Sequence, residues 1–410
     1  MGAPDPDGLA GRGTPPRAIR VAFGLVVALA AFRYGHEMVK LTLHGSQIDF
    51  GAYYASVAAL WSGLDPFDPA WVHRGDAAVG FPRAESPPTF APPGYLLFLP
   101  FLLVPYPLAR VAWVLLGQGC LATALAVAYR RFAPPWALAA AGLCVALSYQ
   151  PLYEDVAVGN LNLVMLLLVA LALHPEPRTH ALRVALPLSL AVTLKVHYSV
   201  LIPFLWWLGA WRAALLALAL ALAWSALALV VFGAAWLGAY AHFLAIGSAP
   251  LHSWMRNLSP HALLHRLLGV DGPHVVVDAL AVAGALAVAG AVLWALRSAR
   301  GRDDRALASL AMAVGAIPLI TPLLEEHHLT VALLPLLLAV ARADELAGKR
   351  EIACLVGAVV LLAGRYSLEA FPRFDRGLAS LAHAGKPLGA LLLMTVIARL
   401  ARTGRAAPGD

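Results

Sequence analysis

Charged residues are scarce in this chain of 410 residues: Asp, Glu, Lys and Arg make up 13% of it, against roughly 25% in typical soluble domains. Long apolar runs replace them, and 60% of the residues are hydrophobic. A soluble core does not need so many uninterrupted apolar runs, which excludes a water-soluble globular protein. The composition predicts an all-α polytopic membrane protein, because a helix satisfies its own backbone hydrogen bonds within lipid.

Cysteine is also rare, and the three residues Cys120, Cys144 and Cys354 all lie in apolar runs. They offer neither a disulfide framework nor metal-ligand spacing. The sequence has no Gly-x-x-x-x-Gly-Lys-[Ser/Thr] motif, which argues against ATP-driven transport. The net charge is +7, but no basic face is interleaved with aromatic residues. We therefore expect no nucleic-acid partner.

Twelve apolar segments are predicted to be membrane-spanning helices, with both chain termini in the cytoplasm. Several are shorter than the roughly 20 residues needed to cross a bilayer, so we expect them to pack inside the protein or line a cavity. The segments are 18–43, 94–129 (interrupted near Pro105 and Pro107), 135–149, 160–174, 183–194, 198–211, 213–232, 275–297, 306–320, 329–342, 352–364 and 386–402. They form one predicted transmembrane domain, 18–402, between disordered tails at 1–17 and 403–410.

Orientation follows from the basic residues, because Lys and Arg concentrate in cytoplasmic loops. Most of them cluster at 12–20, 130–131, 178–183, 297–305, 342–350 and 399–405. The opposite side then has two long external loops, 44–93 and 233–274. The helical periodicity of residues 50–61 predicts an amphipathic helix on the membrane surface in the first loop. A composition rich in Ala, Arg and Gly suggests a bacterial gene, so we expect the inner membrane.

Asp49 is the most informative residue, since it follows the first apolar run and a carboxylate at the edge of a bilayer is costly to desolvate. Two interpretations remain open. Asp49 is a preferred helix cap, or it is a catalytic residue, and one side chain can do both. Tyr53 and Tyr54 follow one turn later as candidate sugar or acceptor contacts.

Two further segments bring polar residues to the same external face. Asn160 is a good helix N-cap and Asn162 begins a very apolar helix, so this segment either caps that helix or contacts a sugar. Lys195 interrupts an apolar run, with His197 two residues later. A lysine in this setting either pairs with an acid or lies at a helix break, where it can bind a phosphate.

The last two segments are 250–266 and 325–328. Arg256 lies beside Trp254 and is either an interfacial anchor or, with Asn257, a functional group. Glu325, Glu326, His327 and His328 lie between hydrophobic helices, which favours a phosphate or sugar contact. Adjacent histidines on an α-helix point about 100° apart, and this segment lacks His-x-x-x-His spacing, so we expect no metal.

These residues together resemble glycosyltransferase family 87, a group of multi-spanning glycosyltransferases with the GT-C fold. The resemblance extends over most of the chain. Its parts are Asp49-Phe50 with Tyr53-Tyr54, Gly63-Leu64-Asp65-Pro66-Phe67, Phe90-Ala91-Pro92-Pro93, Gly159-Asn160-Leu161-Asn162, Lys195, Asn257-Leu258-Ser259 and His327-His328. The chain departs from the family at Asn160, where Gln is usual, at Val196-His197-Tyr198, where Pro follows the lysine, and at the two glutamates before His327.

The resemblance implies a polyprenyl-phosphate sugar donor, with mannose as the expected sugar, and an envelope glycolipid or glycan as acceptor. It implies that Asp49 is the general base of an inverting transfer on the extracytoplasmic side. Lys195, Arg256, His327 and His328 are the implied ligands of the donor phosphate. Tyr53, Tyr54, Asn160, Asn162, His197 and Asn257 are the implied sugar or acceptor contacts. No cofactor is expected.

Two alternatives remain. A transporter or flippase for a lipid-linked or amphipathic substrate would also use broken helices and buried charges. Such a protein is expected to place its polar groups near the middle of the membrane and to contain inverted repeats, whereas here they gather at one face and no repeat is evident. A catalytically silent scaffold in envelope assembly is the third possibility.

Overall fold

The computed structural model describes residues 17–67, 91–246, 256–272, 274–297, 305–346, 348–365, 374 and 376–403. Every regular element in these ranges is a helix. The α-helices are α1 (Arg17–His44), α2 (Ile48–Trp61), α3 (Tyr106–Phe132), α4 (Trp136–Leu147), α5 (Gln150–Val158), α6 (Asn162–Ala172), α7 (Ala181–Leu194), α8 (Leu201–Trp207), α9 (Trp211–Phe232), α10 (Ala235–Ile246), α11 (Pro260–Leu268), α12 (Val275–Leu296), α13 (Ala306–Ile320), α14 (Leu333–Ala341), α15 (Lys349–Ala363) and α16 (Gly385–Thr403).

Tighter 3₁₀ helices connect several of these α-helices. They are Pro92–Leu103, Val196–Val200, Glu326–Ala332, Ala343–Glu345 and Gly377–Ala384. Two of them lie at predicted sites, since Val196–Val200 begins directly after Lys195 and Glu326–Ala332 contains His327 and His328. A short 3₁₀ stretch inside a helical run often marks a functional break.

Five helices in the described ranges are long and apolar enough to cross a membrane, which makes the chain a multi-pass membrane protein. They are Ala18–His44, Tyr106–Phe132, Trp211–Phe232, Val275–Leu296 and Gly377–Arg402. Six shorter apolar helices accompany them. The total of about twelve spans therefore stays a prediction.

All twelve predicted segments are helical to within a few residues, and the interruption expected near Pro105 and Pro107 lies between Pro92–Leu103 and α3. Three helices of 9 to 12 residues, α5, α10 and α11, are not among the predicted segments. Helices this short do not stand out as separate apolar segments. The predicted disordered tails lie outside the described residues, except for Arg17 and Thr403.

The first external loop does contain a helix, α2, but the side chains of α2 are mostly buried. Phe50, Tyr53, Val57 and Leu60 are all inaccessible or nearly so, and α2 packs against Pro92–Leu103 and α3. Phe50 stacks on Trp113, with ring centroids 5.4 Å apart. This packing fixes α2, so the residues at its first turn are held in place. The expected position on the membrane surface stays a prediction, and residues 68–90 lie outside the described ranges.

A close backbone approach joins the start of α2 to the end of α5. The Gln47 amide donates to the Ala157 carbonyl at 2.9 Å, and Gln47 itself has a left-handed φ of 43°. Gly159 has a φ of 72°, and a Cβ added there would lie 2.9 Å from Phe50 Cβ. Only glycine fits both the conformation and the space. This contact places Asp49 beside Asn160, although they are 111 residues apart in sequence.

The helix Glu326–Ala332 packs against α5 and α6 on the other side of the same region. The Tyr149 hydroxyl donates to the Leu329 carbonyl at 2.8 Å, and the Thr330 hydroxyl donates to the Pro151 carbonyl at 3.2 Å. These bonds tie the histidine segment to the helix that precedes Asn160. The start of α2, the end of α5 and the histidine segment therefore meet at the Asn160 side chain.

Candidate active site

Asp49 lies in the first turn of α2, and its carboxylate points to the centre of the polar cluster. Its Oδ2 accepts a hydrogen bond from Asn160 Nδ2 at 2.6 Å and lies 3.8 Å from His327 Nε2. About a fifth of the side chain, 21%, stays exposed. Asp49 does not cap α2, because the cap residue is Gln47, whose own side chain makes no capping hydrogen bond. The cap interpretation of Asp49 is therefore wrong, since its position is inside the helix.

Asn160 is the centre of the cluster. Its amide nitrogen donates to Asp49 and lies 3.1 Å from His327 Nε2, while its carbonyl oxygen accepts from Lys195 Nζ at 3.1 Å. The Leu161 backbone amide donates to the same oxygen at 2.8 Å. One amide side chain thus fixes the acid, the imidazole and the cation relative to one another. Because Asn160 donates to Nε2, the neutral His327 ring has its proton on Nδ1.

Lys195 lies at the break between α7 and Val196–Val200 and is buried, with 9% of its surface exposed. Its ammonium also donates to Asn162 Oδ1 at 2.8 Å. The Asn162 amide in turn donates to Asp155 Oδ1 at 2.8 Å, and Asp155 also accepts from the Leu163 backbone amide at 3.2 Å. From the sequence, Lys195 either pairs with an acid or lies at a helix break. The structure contains both the helix break and nearby acids, with Asn160 and Asn162 as its direct contacts.

The two glutamates before the histidines face different surroundings. Glu325 Oε2 lies 3.8 Å from His327 Nδ1, and the Glu325 backbone amide donates to His328 Nδ1 at 3.2 Å. Glu326 turns away and forms a buried ion pair with Lys386 at 2.9 Å. Glu325 therefore belongs to the cluster, whereas Glu326 anchors the segment to α16.

Glu325, His327 and His328 offer ligand atoms that all lie within 4.8 Å of one another. The expectation of no metal here used the geometry of an α-helix, in which adjacent side chains diverge by about 100°. His327 and His328 instead lie in a 3₁₀ helix, with Glu325 as its cap residue. The 100° divergence of an α-helix therefore does not apply to these two histidines, and the expectation that no metal binds here stays a prediction.

Arg256 and Asn257 reach the cluster from the start of the segment before α11. Arg256 is exposed, and its charge acts on both Asp49 and Glu325. Asn257 is fully buried and holds the chain beside Glu325: its amide donates to the Pro322 carbonyl and its oxygen accepts from the Leu324 amide, both at 3.0 Å. These bonds position the 322–325 segment. Trp254 lies outside the described residues.

Of the three remaining predicted sugar or acceptor contacts, Tyr53 and His197 lie near the polar cluster, and the hydroxyl of Tyr54 points away from it. Tyr53 is buried and close enough to Asp49 and Glu325 to interact with their charges. His197 similarly lies near Lys195 and His328. The Tyr54 hydroxyl donates to the Val104 carbonyl at 3.1 Å, and its ring is in the aromatic cluster around Phe50. The hydroxyl of Tyr54 is thus directed to the Pro105 break and not to Asp49.

Burial raises the pKa of Asp49 above its ordinary value, while the bond from Asn160 and the charges of Lys195 and Arg256 act in the opposite direction. Burial also raises the pKa of Glu325 to about 8, and repulsion from Asp49 adds to this rise. A carboxyl with such a pKa is protonated at neutral pH. The cluster therefore contains two neighbouring carboxyls whose pKa values are both raised by burial, and Glu325 is the one that holds its proton at neutral pH.

Gln47 is a polar residue of this region that sequence reasoning did not assign. Its side chain is fully buried, yet neither Nε2 nor Oε1 has a hydrogen-bond partner among the described residues. An unpaired buried amide is unfavourable by about 1–3 kcal/mol. The only sequence signal was its place two residues before Asp49.

The model of glycosyltransferase family 87 matches residues 89–322, more than half of the chain. This chain belongs to glycosyltransferase family 87. The match confirms the resemblance and supports glycosyltransferase activity at a membrane. Comparisons with curated proteins and with solved structures gave no match.

The family match includes only part of the cluster. Asn160, Asn162, Lys195, His197, Arg256 and Asn257 lie within residues 89–322. Asp49, Glu325, His327 and His328 lie outside that range. The Asn160 amide connects Asp49 and His327 to the matched part, and Glu325 lies 3.8 Å from His327 and donates its backbone amide to His328. The family identification thus supports the reaction class, and the geometry supplies the candidate roles.

Proposed function

We propose that this family 87 protein transfers a sugar from a polyprenyl phosphate to an envelope glycolipid or glycan. The observation that supports this most is the junction of Asp49, Asn160, Lys195 and His327, because it places a carboxylate base next to cationic and imidazole groups. A donor with a lipid phosphate suits a chain without a nucleotide-binding motif. Mannose is the expected sugar, and the extracytoplasmic face of the bacterial inner membrane is the expected location.

In the proposed reaction, the Asp49 carboxylate takes the proton of an acceptor hydroxyl. The oxygen attacks the anomeric carbon from the side opposite the phosphate, the bond between that carbon and the phosphate oxygen breaks, and the configuration inverts. Polyprenyl phosphate leaves with the electron pair. General-base assistance of this kind contributes about 10²- to 10⁴-fold. No metal is needed at the reacting atoms in this scheme.

Positive and neutral groups around Asp49 suit the leaving phosphate. Lys195 and Arg256 provide positive charge, and preorganised charge of this kind stabilises a transition state. Glu325, whose pKa is about 8, is protonated at neutral pH and so does not repel the phosphate. His327 and His328 then provide ring nitrogens for hydrogen bonds. Asn160 and Asn162 act chiefly by orienting Asp49 and Lys195, and Asn257 by positioning the segment before Glu325.

A flippase for a lipid-linked sugar is the rival function, and proteoliposomes distinguish it from a transferase. The purified protein is reconstituted with a polyprenyl phosphate labelled in its sugar and with bacterial envelope lipids as acceptors. A transferase moves the label to the acceptor and leaves polyprenyl phosphate. A flippase moves the intact donor across the bilayer with its sugar attached, and that outcome would reject the proposal.

The proposed base predicts the pH dependence of transfer. Asp49 must be deprotonated, so the rate rises as pH passes upward through its pKa. Because burial raises that pKa, the acidic limb of kcat/KM should lie above the ordinary aspartate value of about 3.9. The Asn160→Ala variant loses the bond that favours the charged form, so its limb should move to still higher pH. A wild-type limb at or below pH 4, or a limb that moves to lower pH in Asn160→Ala, would contradict this assignment.

Gln47 is proposed to contact the substrate, because it lies two residues before Asp49 and its buried amide has no partner in the described part of the chain. Replacement by Met removes that unpaired amide at similar size. The Gln47→Met variant should therefore be more stable by about 1–3 kcal/mol without substrate, yet slower in transfer. Thermal unfolding and transfer rates measure the two effects. A Gln47→Met variant that is less stable, or equally active, would reject this role.

A further inference from the structure

A second cluster of polar groups lies outside the proposed active site, at the crossing of α11 and α12. His261 and His265 are one turn apart on α11, and Asp278 faces them from the first turn of α12. The two imidazoles are buried, whereas 38% of the Asp278 side chain is exposed. Residues four apart share one face of a helix, so the two rings converge. The His-x-x-x-His spacing lies in a stretch whose sequence predicts an external loop, whereas the structure has a helix there.

The distances between the possible ligand atoms of this cluster are close to those around a tetrahedral metal ion. His261 Nε2 lies 2.7 Å from Asp278 Oδ1, and His265 Nε2 lies 3.2 Å from His261 Nε2 and 3.6 Å from Asp278 Oδ1. Around a tetrahedral Zn²⁺, with ligands at 2.0–2.1 Å, neighbouring ligand atoms are about 3.3 Å apart. Lengthening the distance between His261 Nε2 and Asp278 Oδ1 from 2.7 Å to about 3.3 Å produces that geometry.

The second ring nitrogen of His265 also has the hydrogen-bond partner that is typical of a metal-binding histidine. His265 Nδ1 lies 3.3 Å from the Val270 carbonyl oxygen, so the ring donates its proton there and directs the lone pair of Nε2 into the cluster. Histidine ligands of metals typically donate their other nitrogen to a carbonyl or carboxylate in this way. His261 and Asp278 also line an apolar cavity of about 580 Å³ between α11, α12, α13 and α16. This cavity leaves room for a water as the fourth ligand.

We propose that His261, His265 and Asp278 bind a divalent transition-metal ion of the Zn²⁺ type. Two imidazoles and one carboxylate suit such an ion. The ion holds α11 against α12. The Ser259 hydroxyl, which accepts from the Ala262 amide at the start of α11, donates to the Pro322 carbonyl at 2.8 Å. The metal thus steadies the segment that contains Arg256 and Asn257, and it takes no part in the sugar transfer.

Metal content tests this site independently of any transferase activity. The full-length protein is purified in detergent, incubated with Zn²⁺ and freed of excess metal, and its zinc is measured by mass spectrometry. We expect about one Zn²⁺ per chain in the wild type and background levels in Asp278→Asn and in His261→Gln/His265→Gln. The control variant is His36→Gln/His44→Gln, which removes two exposed histidines of α1 and should retain the metal. Background zinc in the wild type, or equal zinc in wild type and both cluster variants, would overturn the proposal.

Two measurements guard against a variant that merely fails to fold. Titration of the wild type with Co²⁺ should give the visible absorption of a tetrahedral site, and Zn²⁺ should abolish it. A chelator should lower the Tm of the wild type and leave the Tm of folded Asp278→Asn unchanged. If the three residues form only a hydrogen-bonded network, no Co²⁺ band appears and the chelator has no effect. Either of these results would reject the metal site.

Discussion

Replacement of Asp49 by Asn should lower the rate of sugar transfer by about 10²- to 10⁴-fold, the contribution of general-base assistance. Asparagine has nearly the same shape and keeps a hydrogen-bonding group next to Asn160, so the cluster stays in place. What disappears is the ability to accept a proton from the acceptor hydroxyl. Initial rates at saturating donor measure the loss, while apparent donor affinity should change little.

The matched control for Asp49→Asn is Asp271→Asn. Asp271 forms an exposed ion pair with Arg376 at 3.0 Å, and exposed pairs contribute about 0–1 kcal/mol. The same chemical change should therefore leave both activity and Tm almost unaffected. An Asp49→Asn variant with transfer close to that of the wild type would remove Asp49 from the role of base.

Replacement of Lys195 by Met should weaken donor binding by about 10- to 100-fold, since a hydrogen bond to a charged group contributes roughly 1.5–3 kcal/mol. The variant also leaves Asn160 and Asn162 without their shared donor and Asp155 without a nearby cation. Loss of one partner from a buried charged group destabilises a protein by about 3–5 kcal/mol. Donor titration and thermal unfolding of the same preparation separate the two effects.

Lys40→Met makes the same change at an exposed position of α1, where the ammonium lies 3.9 Å from Glu37 and 62% of the side chain is accessible. This control should bind the donor normally and unfold at the wild-type temperature. If folded Lys195→Met binds donor as tightly as the control does, the cation has no part in phosphate binding. Its function would then be confined to holding Asn160 and Asn162.

The sequence supported the helical positions well, because apolar runs and proline breaks are local signals. The break near Pro105 is an example. The meeting of Asp49, Lys195 and His327 followed from one further argument, that polar interruptions lie at the same side of the membrane. Residues at the same depth in the membrane can still lie far apart in its plane, so the contacts between these side chains did not follow.

The detailed contacts of the site depend on tertiary packing and were not predictable. Asn160 looked like a helix cap, but the approach of Gly159 to Phe50 brings it to Asp49, and His327 and Lys195 reach it from two other segments. Glu325 and Glu326 look equivalent in sequence. At the start of the 3₁₀ helix, however, the Glu325 carboxylate lies near His327, whereas the Glu326 carboxylate pairs with Lys386. His261 and His265 were overlooked because α11 is only 9 residues long.

Sugar transfer by the purified wild-type protein tests the central claim most directly. The protein is incubated with a panel of radiolabelled polyprenyl-phosphate sugars, and separately with nucleotide sugars, in the presence of membrane-lipid acceptors. We predict that label from at least one polyprenyl-phosphate sugar appears in the lipid acceptor, with no label from any nucleotide sugar. Transfer from a nucleotide sugar, or no transfer from any member of the panel, would contradict the proposed reaction.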